Sequence, residues 1–130
     1  ICILKNKKIP LFGDGTQIRD WIYVSDHCKA IIKIVKKGKI GEIYNIGSSN
    51  LFENKDLIKI IFNSIYKIKK INRKKNYLKS IAYIKDRLGH DRKYSINSNK
   101  IMGKLGWKPE ESFKESLKRT IIWYMKHYSQ

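Results

Sequence analysis

Short stretches of β-type residues alternate along this chain with segments whose apolar residues recur every three or four positions. Residues 9–12 form an apolar stretch, residues 19–24 are aromatic and β-branched, and residues 42–46 and 80–84 have the pattern of short strands. Helical patterns lie between and after them. This order indicates an α/β or α+β architecture, and 130 residues are enough for one domain with its own core.

The first predicted helix follows residue 24. Ser25 or Asp26 is placed to cap its N-terminus, and Gly38 lies just past its last turn. The apolar residues at helical spacing are expected to face the core; they are Cys28, Ile31, Ile32 and Val35. The lysines of the segment take the other face, so the helix is predicted to be amphipathic.

Three more helices are predicted further along the chain. Residues 55–69 follow Asn54, a good N-cap residue, and residues 98–105 end at Gly106. The last helix begins at Ser112, which forms a capping box of the S-x-x-E type with Glu115. Its inward stripe is predicted to consist of Phe113, Leu117, Ile121 and Tyr124. The densely basic residues 67–79 are expected to form an exposed connection.

The chain is strongly basic, because 29 Lys and Arg against 11 Asp and Glu give a formal net charge of +18. This balance is typical of nucleic-acid-binding proteins. Lysines spread over several helix faces, beside many Ile and Asn residues, are more typical of an AT-rich genome than of a selected polyanion-binding surface. No RNA-binding signature or DNA-reading motif occurs. A nucleic-acid-binding module is therefore the alternative from a different class, and no nucleic acid is expected as the partner.

Several kinds of site are missing from the sequence. No segment approaches the roughly 20 apolar residues that span a membrane, so no membrane partner is expected. Two cysteines are too few for a disulfide framework, which fits a reducing cytoplasm. No metal-ligand spacing occurs, and no G-x-G-x-x-G loop follows a strand to hold a dinucleotide. Tyr66 and Lys70 match the Tyr-x-x-x-Lys pair of dehydrogenases, but they are expected on the solvated face of the second helix.

Four separated segments carry the functional signal. They are P-L-F-G-D-G with R-D-W and Y-V within residues 10–24, Y-N-I-G at 44–47, D-R-L-G-H-D-R with Tyr94 within 86–94, and L-G-W-K-P at 105–109. In this order and spacing they resemble the C-terminal segments of dTDP-glucose 4,6-dehydratases, in the extended short-chain dehydrogenase/reductase superfamily. The D-R-x-G-H-D-x-x-Y segment points to the dTDP-glucose branch. The others are shared among nucleotide-sugar epimerases, dehydratases and decarboxylases.

This resemblance implies an α/β fold in which residues 1–130 are the C-terminal nucleotide-sugar-binding region, without the NAD-binding Rossmann core. In that family NAD oxidises the glucose C4 hydroxyl, water leaves across C5 and C6, and the hydride returns to C6. The catalytic Tyr–Lys and Asp–Glu pairs would lie upstream, so no catalytic residue and no activity are expected in this chain alone. The implied setting is a cytoplasmic homodimer that supplies deoxysugars such as rhamnose for lipopolysaccharide O-antigen.

The resemblance also assigns the residues that would bind dTDP-glucose. Pro10, Leu11 and Phe12 would line the thymidine pocket, and the rest of the ligand would contact Arg19, Asn54, Asp86, Arg87, Leu88, Gly89 and His90. The family usually has Tyr at the position of Phe12 and Pro at that of Leu88. Arginine suits phosphate because its planar fork of N–H donors binds two oxygens at once.

Structural roles stand beside these binding roles. Arg19 next to Asp20 also allows a local ion pair, and Asn54 also allows a purely structural helix cap. Asn45 and the tryptophans Trp21, Trp107 and Trp123 are expected to be structural. Within enzymes, the alternative is a UDP- or GDP-sugar epimerase, decarboxylase or dehydratase. Faces that pack on a Rossmann sheet in the family would be bare here, which predicts marginal stability.

Overall fold

The computed structural model describes residues 1–70 and 76–128, and these residues form two compact units. The first unit comprises Ile1–Gln17, Glu53–Arg92 and Leu117–Gln130 within the described residues, and the second comprises Ile18–Phe52 and Lys93–Ser116. In chain order the elements are β1 (Ile9–Phe12), β2 (Ile18–Asp20), α1 (Val24–Lys37), β3 (Leu51–Glu53), α2 (Asn54–Ile68), a 3-10 turn (Tyr77–Ser80), β4 (Ile81–Ile84), α3 (Asn99–Leu105) and α4 (Phe113–Tyr128).

The first unit is built on a parallel pair of strands. β1 pairs with β4 so that Ile9 lies opposite Ile81 and Phe12 lies opposite Ile84. Parallel neighbours need a long crossover, and the chain between them includes α2. The apolar side chains buried in this unit include Leu11, Leu57, Phe62, Ile65, Ile81 and Ile121. The apolar stretch 9–12, the second helix and the strand at 80–84 are therefore confirmed, with bounds that differ by one residue or less at each end.

The N-terminus of α2 differs from the prediction by one position. Glu53 has the extended backbone of the N-cap, and Asn54 is the first helical residue. The backbone N–H of Asn54 donates to the carbonyl of Gln17 at 3.0 Å. The N-cap prediction for Asn54 was wrong by one position, since Glu53 precedes the first helical residue. The hydrogen bond from Asn54 ties the start of the helix to residue 17.

The second unit has its core between α1 and α3. Ala30 and Ile101 are fully buried and pack with Leu105 and Trp107. The indole Nε1 of Trp107 donates to the backbone carbonyl of Asp26 at 3.2 Å, and the carboxylate of Asp26 accepts the N–H of Glu111 at 3.1 Å. The L-G-W-K-P segment is thus fastened to α1. Trp107 is structural, as expected, whereas Trp21 and Trp123 are 39% and 51% exposed.

The predicted inward face of α1 was wrong. Cys28 is exposed, and Ile31, Ile32 and Val35 are 46%, 54% and 80% exposed. The buried residues of the helix are Asp26 and Ala30, and Ile34 packs beside them on the core. The helical period was predicted correctly, but a different face of the helix is buried. Trp107 packs against that face at Ala30, whose small side chain leaves room for the indole. The N-cap is Tyr23, not Ser25 or Asp26.

Two strand predictions were also wrong in extent or position. Of residues 19–24, only 19–20 belong to a strand, since β2 ends at Asp20. Among the described residues, 42–46 form no strand, and Tyr44 and Ile46 instead turn their side chains onto the core. The strand that pairs with β2 is β3. A strand needs a hydrogen-bonded neighbour, and the described residues offer one to β3 rather than to residues 42–46.

α3 follows the prediction to within one residue at both ends, and α4 begins at Phe113, one residue after the predicted start at Ser112. α3 ends at Gly106, which has the left-handed conformation of a helix C-cap. The N–H of Glu115 donates to Ser112 Oγ at 3.3 Å, which is the Ser112 half of the predicted capping box. On α4, Ile121 is buried as predicted, but Tyr124 is 38% exposed. Residues 71–75 of the predicted basic connection lie outside the described residues.

Candidate functional site

The loop that follows β4 is organised by the side chain of Asp86. Its Oδ1 accepts the backbone N–H of Arg87 at 2.9 Å and lies 2.6 Å from Nδ1 of His90. Its Oδ2 accepts Nε2 of Gln17 at 2.9 Å. Gly89 has φ +68°, a conformation that lets the loop turn back so that the N–H of His90 meets the carbonyl of Arg87. The carboxylate of Asp86 therefore joins the start of the loop to His90 at its end and to Gln17 outside it.

The hydrogen bonds fix the tautomer of His90 and the direction of Arg87. A carboxylate only accepts, so Nδ1 carries the proton that faces Asp86. A guanidinium only donates, so Nε2, which lies 3.1 Å from Nη2 of Arg87, is the acceptor in that contact. The guanidinium carbon of Arg87 lies 4.9 Å from the ring centroid of Phe12, within the range of a cation–π contact. Phe12, Arg87 and His90 thus form one connected surface.

The electrostatics of the loop depend on Asp86 remaining ionised. The hydrogen bond with His90 is the largest effect that holds the pKa of Asp86 below its ordinary value. The backbone N–H of Arg87 and the amide of Gln17 act in the same direction, while partial desolvation opposes them. The His90 side chain is only 8% exposed and the Asp86 side chain 40%. The carboxylate is therefore the anchor, and His90 is the buried link to Arg87.

The first glycine of the G-D-G turn makes room for this anchor. Gly13 has φ +57°, and a Cβ at this position would lie 2.6 Å from Oδ2 of Asp86 and 3.1 Å from Nε2 of Gln17. No side chain fits there without moving both groups. Gly15 plays the same part for the core, because a Cβ there would lie 2.5 Å from Cδ2 of Leu11. The turn motif thus serves close packing on both sides.

The remaining predicted residues of the first unit take different positions. Pro10 is exposed on β1, Phe12 is 38% exposed and Leu88 is fully exposed at the tip of the loop. The side chain of Leu11 is 4% exposed, so it belongs to the core. Asn54 is half-buried at the start of α2. The structure therefore brings Phe12, Asp86, Arg87 and His90 into direct contact, with Leu88 and Gly89 on the same loop.

Arg19 belongs to the second unit. Its guanidinium carbon lies 4.5 Å from the ring centroid of Tyr94, and Nη1 donates to the carbonyl of Ile18 at 2.7 Å. The neighbouring Asp20 accepts four hydrogen bonds from a turn: the N–H groups of Ser48, Ser49 and Asn50, and the hydroxyl of Ser48. The carboxylate of the R-D-W segment therefore organises residues 48–50, and the arginine stacks on the tyrosine of the D-R-x-G-H-D-x-x-Y segment.

Sequence reasoning missed Gln17. Its carboxamide is 2% exposed and reaches a residue 69 positions away. An isolated glutamine between two motifs carries no periodic or spacing signal. Its place between the G-D-G turn and Arg19 is the one feature that points to it. Tyr66 and Lys70, which match the Tyr-x-x-x-Lys pattern, do not share one helix face. The ring of Tyr66 stacks on Phe62 with 4.5 Å between the ring centroids, and Lys70 lies beyond the last residue of α2.

Neither a metal nor a membrane site occurs in the part of the chain that the structure describes. No group of three or more His, Cys, Asp or Glu residues within 1–70 and 76–128 is arranged to hold a metal ion. Over the same residues, no helix is both long and apolar enough to cross a bilayer.

Comparison with known proteins identifies the family. The model for GDP-mannose 4,6 dehydratases matches residues 1–120. The chain belongs to this family. The dTDP-glucose 4,6-dehydratases of Shigella flexneri and of Escherichia coli K12 are each 43% identical to it over 122 residues, which cover 94% of this chain and 33% of theirs. The chain therefore spans about a third of the length of the curated relatives it matches.

Solved structures agree with this membership. The dTDP-glucose 4,6-dehydratase DesIV of Streptomyces venezuelae is 34% identical, with a TM-score of 0.86 over 96% of this chain and 36% of its own. The UDP-glucose 4-epimerase of Thermotoga maritima is 29% identical, with a TM-score of 0.77 over 97% of this chain and 37% of its own. The predicted α/β fold and the resemblance to the dehydratases are confirmed, and the matched region is the C-terminal part of such enzymes.

The Streptomyces venezuelae dehydratase and that of Bacillus anthracis hold NAD. The residues of this chain do not fit the pyrophosphate of that cofactor. No G-x-G-x-x-G loop occurs in the sequence, and the one G-x-G, at Gly13 and Gly15, makes a turn whose open space is filled by Asp86, Gln17 and Leu11.

Proposed function

We propose that this chain is the substrate-holding part of a dTDP-glucose 4,6-dehydratase. The whole polypeptide would use NAD, bound elsewhere in it, to convert dTDP-glucose to dTDP-4-dehydro-6-deoxy-glucose and water. The observation that carries the proposal is the contact of Arg87 with Phe12 and His90, anchored by Asp86. It occurs in a chain that is 43% identical to such dehydratases.

The chemistry of this cluster suits a nucleoside diphosphate. Arginine has five N–H donors in a planar fork, and Arg87 spends one on His90 and presents others on an exposed loop. The partly exposed ring of Phe12 offers an apolar face to a thymine base, beside exposed Pro10 and Leu88. A cation already stacked on the ring loses less conformational freedom when a phosphate arrives.

Other predicted residues contribute in ways that their burial permits. Leu11 would act through its backbone, because its side chain is in the core. Asn54 would offer its carboxamide and Gly89 its backbone. Arg19, which stacks on Tyr94 in the second unit, is proposed as a ligand of the sugar nucleotide from the family resemblance alone. These groups bind and orient the sugar nucleotide. None of them transfers a hydride or takes a proton from carbon, so the isolated chain is expected to turn over no dTDP-glucose.

The wider setting forms part of the same proposal. The family resemblance supports a homodimer in the cytoplasm. It also supports a product that enters deoxysugar synthesis of the rhamnose type, including that of lipopolysaccharide O-antigen.

Binding of nucleoside diphosphates to the purified chain tests the proposal. Isothermal titration calorimetry should show a lower Kd for dTDP than for UDP or GDP. Arg87→Ala should weaken dTDP binding by about tenfold or more, because hydrogen bonds to a charged group are lost. Arg87→Lys should lose most of the same affinity, since an ammonium group keeps the charge but not the fork. The matched control is Lys59→Ala, which removes one cation from the exposed face of α2.

Two outcomes would overturn the assignment. Tighter binding of UDP or GDP than of dTDP would favour a related epimerase, decarboxylase or dehydratase. The charge of +18 also favours binding of unrelated DNA duplexes, and this alternative predicts affinity that falls steeply as salt rises. Strong duplex binding with no dTDP binding would make the chain a nucleic-acid-binding module.

A further inference from the structure

Gln17 is one of the largest fully buried side chains of the chain, at 2% exposure. A buried carboxamide is unfavourable unless its polar atoms are bonded. Its Nε2 donates to Oδ2 of Asp86 at 2.9 Å, and its backbone carbonyl accepts the N–H of Asn54 at 3.0 Å. Its Oε1 has no partner among the described residues. The hydrogen bond to Asp86 is therefore the side-chain interaction that offsets the burial of this amide.

The contact begins a relay that ends at the binding surface. Gln17 bonds to Oδ2 of Asp86, the Oδ1 atom of Asp86 bonds to His90, and the far nitrogen of His90 faces Arg87. Each link has a fixed direction, because a carboxylate only accepts and a guanidinium only donates. His90 and the backbone N–H of Arg87 both bond to Oδ1 of Asp86, and Gln17 bonds to the other oxygen, Oδ2.

The residue type at position 17 is constrained by charge and length. A glutamate would place a second carboxylate beside Asp86, and like charges at this distance repel. An apolar residue at position 17 would remove the hydrogen bond to Oδ2 of Asp86, which is partly buried, and this loss is unfavourable. The absent Cβ of Gly13 completes the arrangement, because that space is filled by Asp86 and Gln17 together.

We infer that Gln17 is a positioning residue for nucleoside diphosphate binding, which fixes Asp86 and, through His90, holds Arg87 in its binding orientation. This inference rests on the proposed function of the loop. Gln17 itself does not touch the ligand, because its side chain is buried.

Two readouts on Gln17→Ala test the inference. In the ligand-free protein, NMR should show the pKa of Asp86 rising toward its ordinary value and a change in the nitrogen signals of His90. In calorimetry, dTDP binding should weaken by about threefold to tenfold, the range for one lost hydrogen bond. Asn63→Ala, which removes an exposed carboxamide from α2, should leave both readouts unchanged.

A charge reversal keeps the test decisive if Gln17→Ala does not fold. Gln17→Glu should weaken dTDP binding more than a neutral variant does. In the double variant Gln17→Glu with Asp86→Asn, the amide of residue 86 can donate to the new carboxylate. The double variant should therefore bind dTDP more tightly than Gln17→Glu alone.

The outcomes separate this inference from the proposed function. If Gln17→Ala leaves the signals of Asp86 and His90 unchanged, or if the double variant binds no better than Gln17→Glu, the positioning role is wrong. If the unaltered chain binds no dTDP while Gln17→Ala still shifts Asp86 and His90, the relay exists and the proposed ligand is wrong.

Discussion

Replacing Gly13 with alanine perturbs the point where the G-D-G turn meets the Asp86 loop. The residue has φ +57°, and an L-residue in this conformation costs about 1–2 kcal/mol. The new Cβ would also lie 2.6 Å from Oδ2 of Asp86, so the carboxylate must move and give up Gln17. The weakened bond between Gln17 and Asp86 adds to this strain, so the loss of unfolding free energy is expected to exceed the roughly 1–2 kcal/mol of the strain alone.

Two other glycines separate the two contributions. Gly41 has φ +80° with nothing within 4 Å of its Cβ position, so Gly41→Ala should show the backbone strain alone, about 1–2 kcal/mol. Gly103 lies inside α3 with the same open space and no positive φ. Gly103→Ala should therefore stabilise the protein by roughly 0.5–1 kcal/mol.

Urea unfolding followed by circular dichroism measures all three variants on one scale. If Gly13→Ala loses no more free energy than Gly41→Ala, the close approach of Asp86 and Gln17 to residue 13 is refuted. An NMR spectrum of Gly13→Ala in which Asp86 and His90 are unchanged would refute it independently.

Two further predictions concern acidic side chains. Asp20→Asn should lower the unfolding free energy by about 1–3 kcal/mol in urea, because one oxygen that accepts two of its four hydrogen bonds becomes a donor; no change would mean that the turn at residues 48–50 does not depend on the carboxylate. Hydrogen bonds from Thr16 lower the pKa of Asp14 from 3.8 to about 2, so its stabilising effect is complete above 3.8 and is lost as the pH falls through about 2. Thr16→Ala should raise the pKa of Asp14 in an NMR titration, and an unchanged value would contradict this cause.

Much of the fold could be predicted from local patterns. The second helix, the strand β4 and the ends of α3 follow from apolar spacing and from glycine or serine at the termini. The face of α1 could not, because periodicity gives a stripe but not its partner. The core of the second unit is set by Trp107, which comes 77 positions after Ala30 in the sequence and packs against it. A long-range contact of this kind leaves no mark on the helix that receives it.

The candidate site could likewise be predicted only where its residues are close together in the sequence. Asp86, Arg87 and His90 lie within five consecutive positions, so a local motif reveals them. The approach of Phe12 to Arg87 depends on the parallel pairing of β1 with β4, which places residue 12 opposite residue 84. Gln17 depends on that pairing and on the turn that follows β1. Neither contact can be deduced from spacing along the chain.

The G-D-G and D-R-x-G-H segments are, physically, two halves of one structure. The first provides a turn without a side chain at position 13 and the amide of Gln17, and the second provides the carboxylate that fills the space. β1 and β4 fix their distance, since they pair in register up to the residues that enter the two loops. A substitution in either segment should therefore change the orientation of the Arg87 side chain. We therefore expect the orientation of the guanidinium to depend on Gln17, whose side chain is buried and would not touch the proposed diphosphate.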